Sequence, residues 1–289
     1  MLKELFLSMR PKQWYKNLVI FIGLVFSLNF FNLTAWVTSI TAFVIFCILS
    51  GSIYIINDII DREKDLNHPL KRLRPIASGK LKSINALVIA IILIIIALTG
   101  SWLINLPFFI TAVTFLFLIL FYSLYLKNLL IVDILIISAG FVLRAIAGAV
   151  AISVNVSAWL IICAFLIALF LALGKRRHEL KVMGSDANMH RKILDGYSIG
   201  MLDQMINITT SILIMSYSLY TFFANNIYMM LTIPLAIYGI FRYIYLVHSK
   251  NMGGEPEMLF KDKGMLLCML LWVFLVLLIL YADKIIGII

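Results

Sequence analysis

Asn57, Asp58, Asp61 and Asp65 form the densest acidic cluster in a chain with only 14 Asp and Glu among 289 residues. Asp58, Asp61 and Asp65 stand at i, i+3 and i+7, and Asn57, Asp61 and Asp65 at i, i+4 and i+8. On a continuing helix these positions share a face. Carboxylates gathered on one face repel unless a cation sits among them. The donors are oxygens, with no cysteine or paired histidine nearby, which suits a hard ion, Mg²⁺ before Zn²⁺. Mg²⁺ takes few protein ligands and commonly shares its sphere with a substrate phosphate. A helix end whose charges simply reach water is the ordinary alternative. The ligand reading is preferred because ionisable groups at membrane depth are usually functional. Asn57, Asp58, Asp61 and Asp65 are therefore the candidate metal ligands, and the three aspartates the candidate catalytic set.

Cations follow directly, in Lys71-Arg72-Leu73-Arg74-Pro75-Ile76-Ala77-Ser78-Gly79-Lys80. Metal-binding carboxylates beside Lys71, Arg72 and Arg74 make a place for a multiply charged anion, since arginine forks and lysine point charges both serve phosphate. Gly174-Lys175-Arg176-Arg177-His178-Glu179 repeats the pattern, and Lys175, Arg176 and Arg177 join the phosphate candidates with Lys16, Asn17 and Lys127. Arg144, also a phosphate candidate, lies near the middle of an apolar run, where an unpaired charge costs several kcal/mol, so it should face the protein interior. Asp133, eleven residues earlier, falls on roughly the same helical face but about 16 Å away along the axis, so the two are not a direct pair.

The elements that must position these groups are membrane helices. Hydrophobic residues make up 63% of the chain and charged residues 13%, with a mean hydropathy of +1.05. A soluble domain of this length needs more polar surface. Nine apolar runs, 18–31, 35–56, 84–104, 107–126, 129–152, 157–173, 206–223, 227–247 and 265–282, approach or reach the ~20 residues that cross a bilayer, the first being short. Barrel strands would be shorter and alternating. The fold class expected is an all-α membrane protein of nine spans with a cytoplasmic N-terminus.

The formal net charge of +10 points to topology and not to nucleic acid. With the N-terminus inside, alternation puts 62–82, Lys127, 175–192 and 250–263 inside, while the turns around Asn32, Asn105, Asn155 and Asn225 carry no charge. That is the positive-inside pattern. Cys47, Cys163 and Cys268 sit singly in apolar runs and read as small buried hydrophobes. No cleavable signal pattern precedes the first run. No linker or low-complexity tract interrupts the helices, so residues 1–289 read as one integral-membrane domain with cytoplasmic loops at 57–83, 174–205 and 248–264.

Asn57-Asp58-x-x-Asp61-x-x-x-Asp65 resembles the first Asp-rich motif of the UbiA superfamily of intramembrane prenyltransferases, which shares nine helices and this topology. Arg10-Pro11-Lys12-Gln13-Trp14-Tyr15-Lys16-Asn17, His68-Pro69-x-Lys71-Arg72-x-Arg74-Pro75-Ile76-Ala77, Leu143-Arg144-Ala145-Ile146-Ala147-Gly148, Gly174-Lys175-Arg176 and Gly254-Glu255-Pro256-Glu257 are similar to the decaprenyl-phosphate phosphoribosyltransferase branch. The resemblance covers almost the whole chain. It departs from the aromatic prenyltransferases, whose second Asp-rich motif falls where this chain has Lys175-Arg176-Arg177-His178-Glu179. Extra cations suit substrates carrying more phosphate.

What the resemblance implies is a Mg²⁺-dependent, multi-pass enzyme of the inner (cytoplasmic) membrane, with its site facing the cytoplasm. It would transfer phosphoribosyl from phosphoribosyl diphosphate to a polyprenyl phosphate. Membrane lipids, and in a homo-oligomer a second copy, would be its other partners. A prenyltransferase acting on an aromatic or other small acceptor is the alternative enzyme. A transporter would show internal repeats and broken midplane helices, and no convincing repeat is found.

Overall fold

The computed structural model describes residues 2–155, 157–183, 192–224, 226–249, 253–254 and 261–286. Of the stretches singled out above, 184–191, Asn225, 250–252 and 255–260, which include Lys250, Glu255, Pro256 and Glu257, lie outside the described residues. No strand occurs among the described residues. Among the described residues eight helices are long and apolar enough to cross a membrane, and the chain is a multi-pass membrane protein. It folds as two compact units, one made of Met1–Tyr125 and Leu143–Asn155, the other of Leu126–Val142 and Val156–Ile289.

In the first unit, α1 (Leu2–Ser8) is followed by a ten-residue 3₁₀ segment, Pro11–Ile20, and the short α2 (Phe21–Phe26). The run expected at 18–31 is thus broken, and α2 is too short to span. Backbone proximity accounts for this. A Cβ on Gly148 would collide with the Ile20 carbonyl, and one on Gly23 would stand 2.9 Å from the Ala149 backbone. Chain 20–23 is therefore pressed against the helix bearing Gly148, which a straight span with ordinary side chains would not permit.

The long α3 (Leu33–Ile60), α4 (Arg62–Leu66), α5 (Ser83–Ile104) and α6 (Leu106–Leu124) follow. Buried residues fill 61% of the most apolar stretch of α3 but only 17% of that of α5, so α3 is the inner helix and α5 the lipid-facing one. Phe46 of α3 packs against Phe108 and Phe115 of α6, ring centroids 5.7 and 5.1 Å apart. Two of the uncharged turns carry helix caps. Asn32 Oδ1 accepts from Ala35 N and Asn105 Oδ1 from Phe108 N, satisfying first-turn amides. Asn105 Nδ2 also donates to the Val150 and Ala151 carbonyls, at 2.9 and 3.2 Å.

α7 (Val132–Ala151) gives its second half to the first unit and its first half to the second. The second unit also contains α8 (Ala158–Met183), α9 (Ile199–Phe222), α10 (Ile233–Ser249) and α11 (Lys263–Ile286). Its core joins Ile134, Phe170, Leu173, Leu202, Tyr243 and Leu246. α8 runs through Lys175, Arg176 and Arg177 to Met183, where a loop was expected from 174. Hydropathy falls once charges begin, but the helix continues, with Arg176 and Arg177 paired to carboxylates.

Candidate functional site

In the first unit the acidic cluster keeps helical register across the α3–α4 junction. Asp61 N donates to Asn57 O at 2.9 Å and Asp65 N to Asp61 O at 2.8 Å, so Asn57, Asp61 and Asp65 do share a face. Asp58 and Asp65 are buried. Arg74 Nη1 donates to Asp58 Oδ1 at 3.1 Å and to Asp65 Oδ2 at 2.6 Å. Arg10 Nη2 pairs with the same Asp58 oxygen, and its guanidinium lies 4.9 Å from the centroid of the Tyr54 ring. The loop that brings Arg74 back is shaped by His68, whose Nδ1 accepts from Leu70 N and Lys71 N, and is anchored by buried Ile76 and Ala77. Lys71 and Arg72 are exposed.

The fit of a divalent ion rests on one atom. Asn57 Oδ1 is buried and has no hydrogen-bond partner among the described residues, and an oxygen left so is costly unless something binds it. With Asp61 one turn further on, it suits an ion that takes few protein ligands. Among the described residues no three of His, Cys, Asp and Glu converge as a metal-ligand group. Asp58 and Asp65 are already engaged by arginine.

Arg144 is buried, as its position required. Its Nε donates to Asn17 Oδ1 at 2.7 Å, and its guanidinium stands 4.5 Å from the Phe115 centroid. Asn17 Nδ2 reaches Cys47 Sγ at 3.3 Å and Ser50 Oγ at 3.2 Å. Asn17 and Arg144, both phosphate candidates, are thus brought together inside the first unit. Lys16 Nζ donates to Gln13 Oε1 at 3.3 Å.

In the second unit Lys127 is half-buried and Lys175 exposed. Arg176 is only 3% exposed. Its Nε donates to Asp133 Oδ2 at 2.8 Å and its Nη1 to Glu179 Oε2 at 2.5 Å. Asp133, fully buried, also accepts from the Tyr197 hydroxyl at 2.9 Å. The Tyr197 oxygen accepts in turn from Ile131 N at 2.9 Å, steadying a β-branched residue in the left-handed region at φ 67°. Burial, with the adjacent carboxylate, pushes the Tyr197 phenol up to about 12. Arg177 Nε donates to Asp203 Oδ1 at 2.5 Å, and His248 Nε2 lies 3.2 Å from the same oxygen.

Sequence reasoning did not single out Arg10, Tyr54, Tyr197 or Asp203 as site or network residues. Arg10 stood in a quoted motif, and Asp203 was visible as an acid near an apolar run. Nothing in the sequence marked Tyr54 or Tyr197.

The chain matches the UbiA prenyltransferase family over residues 18–270. It is 32% identical over 285 residues to a decaprenyl-phosphate phosphoribosyltransferase of Mycolicibacterium smegmatis, covering 92% of this chain and 89% of that protein. It is 33% identical over 285 residues to a decaprenyl-phosphate phosphoribosyltransferase of Corynebacterium glutamicum, covering 95% and 86%. A solved UbiA homolog from Archaeoglobus fulgidus, bound to GPP and Mg²⁺, superposes with a TM-score of 0.73 at 17% identity, over 94% of this chain and 96% of that one.

Proposed function

The chain belongs to the UbiA prenyltransferase family, and from that premise we propose that it transfers the 5-phosphoribosyl group of phosphoribosyl diphosphate to a polyprenyl phosphate, releasing diphosphate. Similarity over nearly full length to relatives named decaprenyl-phosphate phosphoribosyltransferase supports the acceptor class and the group transferred. The observation that carries the site is the 57–74 cluster, where buried carboxylates, two arginines and an orphaned amide oxygen meet.

Mg²⁺ would be held within the cluster of Asn57, Asp58, Asp61 and Asp65, where the orphaned Asn57 oxygen and Asp61 one turn on offer it ligands. When bound, the ion supplies charge neutralisation for the departing diphosphate. Arg74, with Lys71 and Arg72 exposed beside it, binds and orients the diphosphate. The attacking lipid phosphate is already ionised near neutral pH, so no side chain of this chain need act as nucleophile. The bond from the lipid phosphate oxygen to the anomeric carbon forms as the bond from that carbon to diphosphate breaks. The site faces the cytoplasm of the inner membrane, an orientation that the positive-inside pattern supports. The polyprenyl tail remains in the bilayer.

The test is incubation of purified protein with Mg²⁺, phosphoribosyl diphosphate and polyprenyl phosphates of several lengths, with mass spectrometry of the lipid. A phosphoribosylated lipid is expected, lost with EDTA and restored by Mg²⁺ or Mn²⁺. Transfer from a labelled prenyl diphosphate to a small acceptor, with no phosphoribosyl lipid, would favour the other enzyme reading.

A further inference from the structure

We infer that Arg10 is a diphosphate-contacting residue, and that Asp58 is the carboxylate that positions it and not a ligand of the metal ion. This rests on reading 57–74 as the ion and diphosphate site, and it divides the acidic cluster into two jobs.

The first ground is which groups face outward. The side chains of Asp58 and Asp65 are 3% and 5% exposed, those of Arg10 and Arg74 24% and 27%. An arriving ligand therefore meets guanidinium N–H groups with carboxylates beneath them. The second is donor capacity. A guanidinium has five N–H donors, and among the described residues Arg10 donates a side-chain hydrogen bond to Asp58 alone, through Nη2.

The third ground is how firmly Arg10 is held. Its backbone is left-handed, φ 52° and ψ 62°, a conformation that non-glycine residues keep only where the surroundings over-determine it. Pro11 follows, and Gln13 N donates to Arg10 O at 2.8 Å. The Tyr54 ring supports the guanidinium face. A fork fixed by backbone, ring and carboxylate is what charge-assisted binding of a diphosphate requires.

The fourth concerns the ion. Asp58 Oδ1 already accepts from both arginines. A divalent cation on that oxygen would stand against two guanidinium charges at contact distance. Asn57 Oδ1, buried and without a partner among the described residues, carries no such conflict and shares a helical face with Asp61. The ion thus belongs to Asn57 and Asp61, while Asp58 and Asp65 serve the arginines.

The experiment uses the full chain in detergent, with Mn²⁺ binding read by electron paramagnetic resonance. Inorganic diphosphate binding is read as the rise in melting temperature when it is added with Mn²⁺. Arg10→Gln and Asp58→Asn should each keep wild-type Mn²⁺ affinity and bind diphosphate about 10- to 100-fold more weakly, the scale of one charge-assisted hydrogen bond. The double variant should be no worse than the weaker single one, because the two residues act as one unit. Asp61→Asn should lose Mn²⁺.

If Asp58→Asn does not fold, Arg10→Lys decides. It keeps the charge but loses the fork, and should weaken diphosphate about tenfold with Mn²⁺ binding intact. Loss of Mn²⁺ in Asp58→Asn, or unchanged diphosphate binding in Arg10→Gln or Arg10→Lys, overturns the inference. A wild-type protein that binds Mn²⁺ and diphosphate yet makes no phosphoribosyl lipid overturns the proposed reaction and leaves the role of Arg10 standing.

Discussion

Replacing Arg176 with methionine separates a phosphate ligand from a structural tie. Arg176 is 3% exposed, and its main partner, Asp133, is fully buried. In Arg176→Met, Asp133 Oδ1 keeps the Tyr197 hydroxyl, but Oδ2 loses its donor and the carboxylate loses its counter-charge. Breaking a buried pair from one side costs about 3–5 kcal/mol. At roughly 2–4 °C per kcal/mol for a chain of this size, the melting temperature should fall by about 10 °C. The assay is thermal unfolding in detergent alongside steady-state kinetics on the folded fraction. Adding Asp133→Asn removes the stranded charge and should recover at least half of the loss. A melting temperature within about 2 °C of wild type, together with a tenfold or greater rise in KM for either phosphate substrate, would refute the structural reasoning and return Arg176 to the substrate.

Arg144→Lys and Asn17→Ala should each lower stability by about 1.5–3 kcal/mol, the value of a hydrogen bond to a charged group; a double variant no less stable than the worse single one would show that they act through each other, and full additivity would contradict this. Gly148→Ala drives a methyl into the Ile20 carbonyl, so a loss above about 3 kcal/mol, seen as poor folded yield, is expected, overpacking of side chains alone costing ~1–3 kcal/mol. Tyr197→Phe removes the donor to Asp133 and the acceptor for Ile131 N. The phenol is raised from an ordinary value of about 10 to about 12 in the fold, so its contribution is complete below the lower value and is lost as pH rises through the higher. The melting-temperature gap between wild type and Tyr197→Phe should accordingly hold steady to about pH 10 and narrow above it; a gap that is unchanged in stronger alkali would count against the assignment.

What could be read from the sequence was what is decided locally. Hydropathy marks membrane helices because each must bury its own backbone polar groups in lipid, and all eight long helices lie on expected runs. The helical spacing of Asn57, Asp61 and Asp65 survived because it depends only on four-residue periodicity, which the α3–α4 junction preserves. The expectation that Arg144 faces inward followed from the cost of a charge in hydrocarbon, which holds wherever its partner lies.

Partners were decided only by tertiary structure, since they are distant in the chain. Arg10 reaches Asp58 across 48 residues, Arg176 reaches Asp133 across 43, and Arg144 reaches Asn17 across 127. Cations that look alike in sequence, Lys175 and Arg176 for example, diverge because one end of α8 turns the first outward and buries the second on a carboxylate. The break in the first apolar run has the same origin: the residues of 18–31 are apolar enough for a helix, but the need to lie against Gly148 is set 120 or more positions away. Local chemistry determined which elements exist and which groups can ionise or ligate; packing between distant segments determined which of those groups are already spoken for.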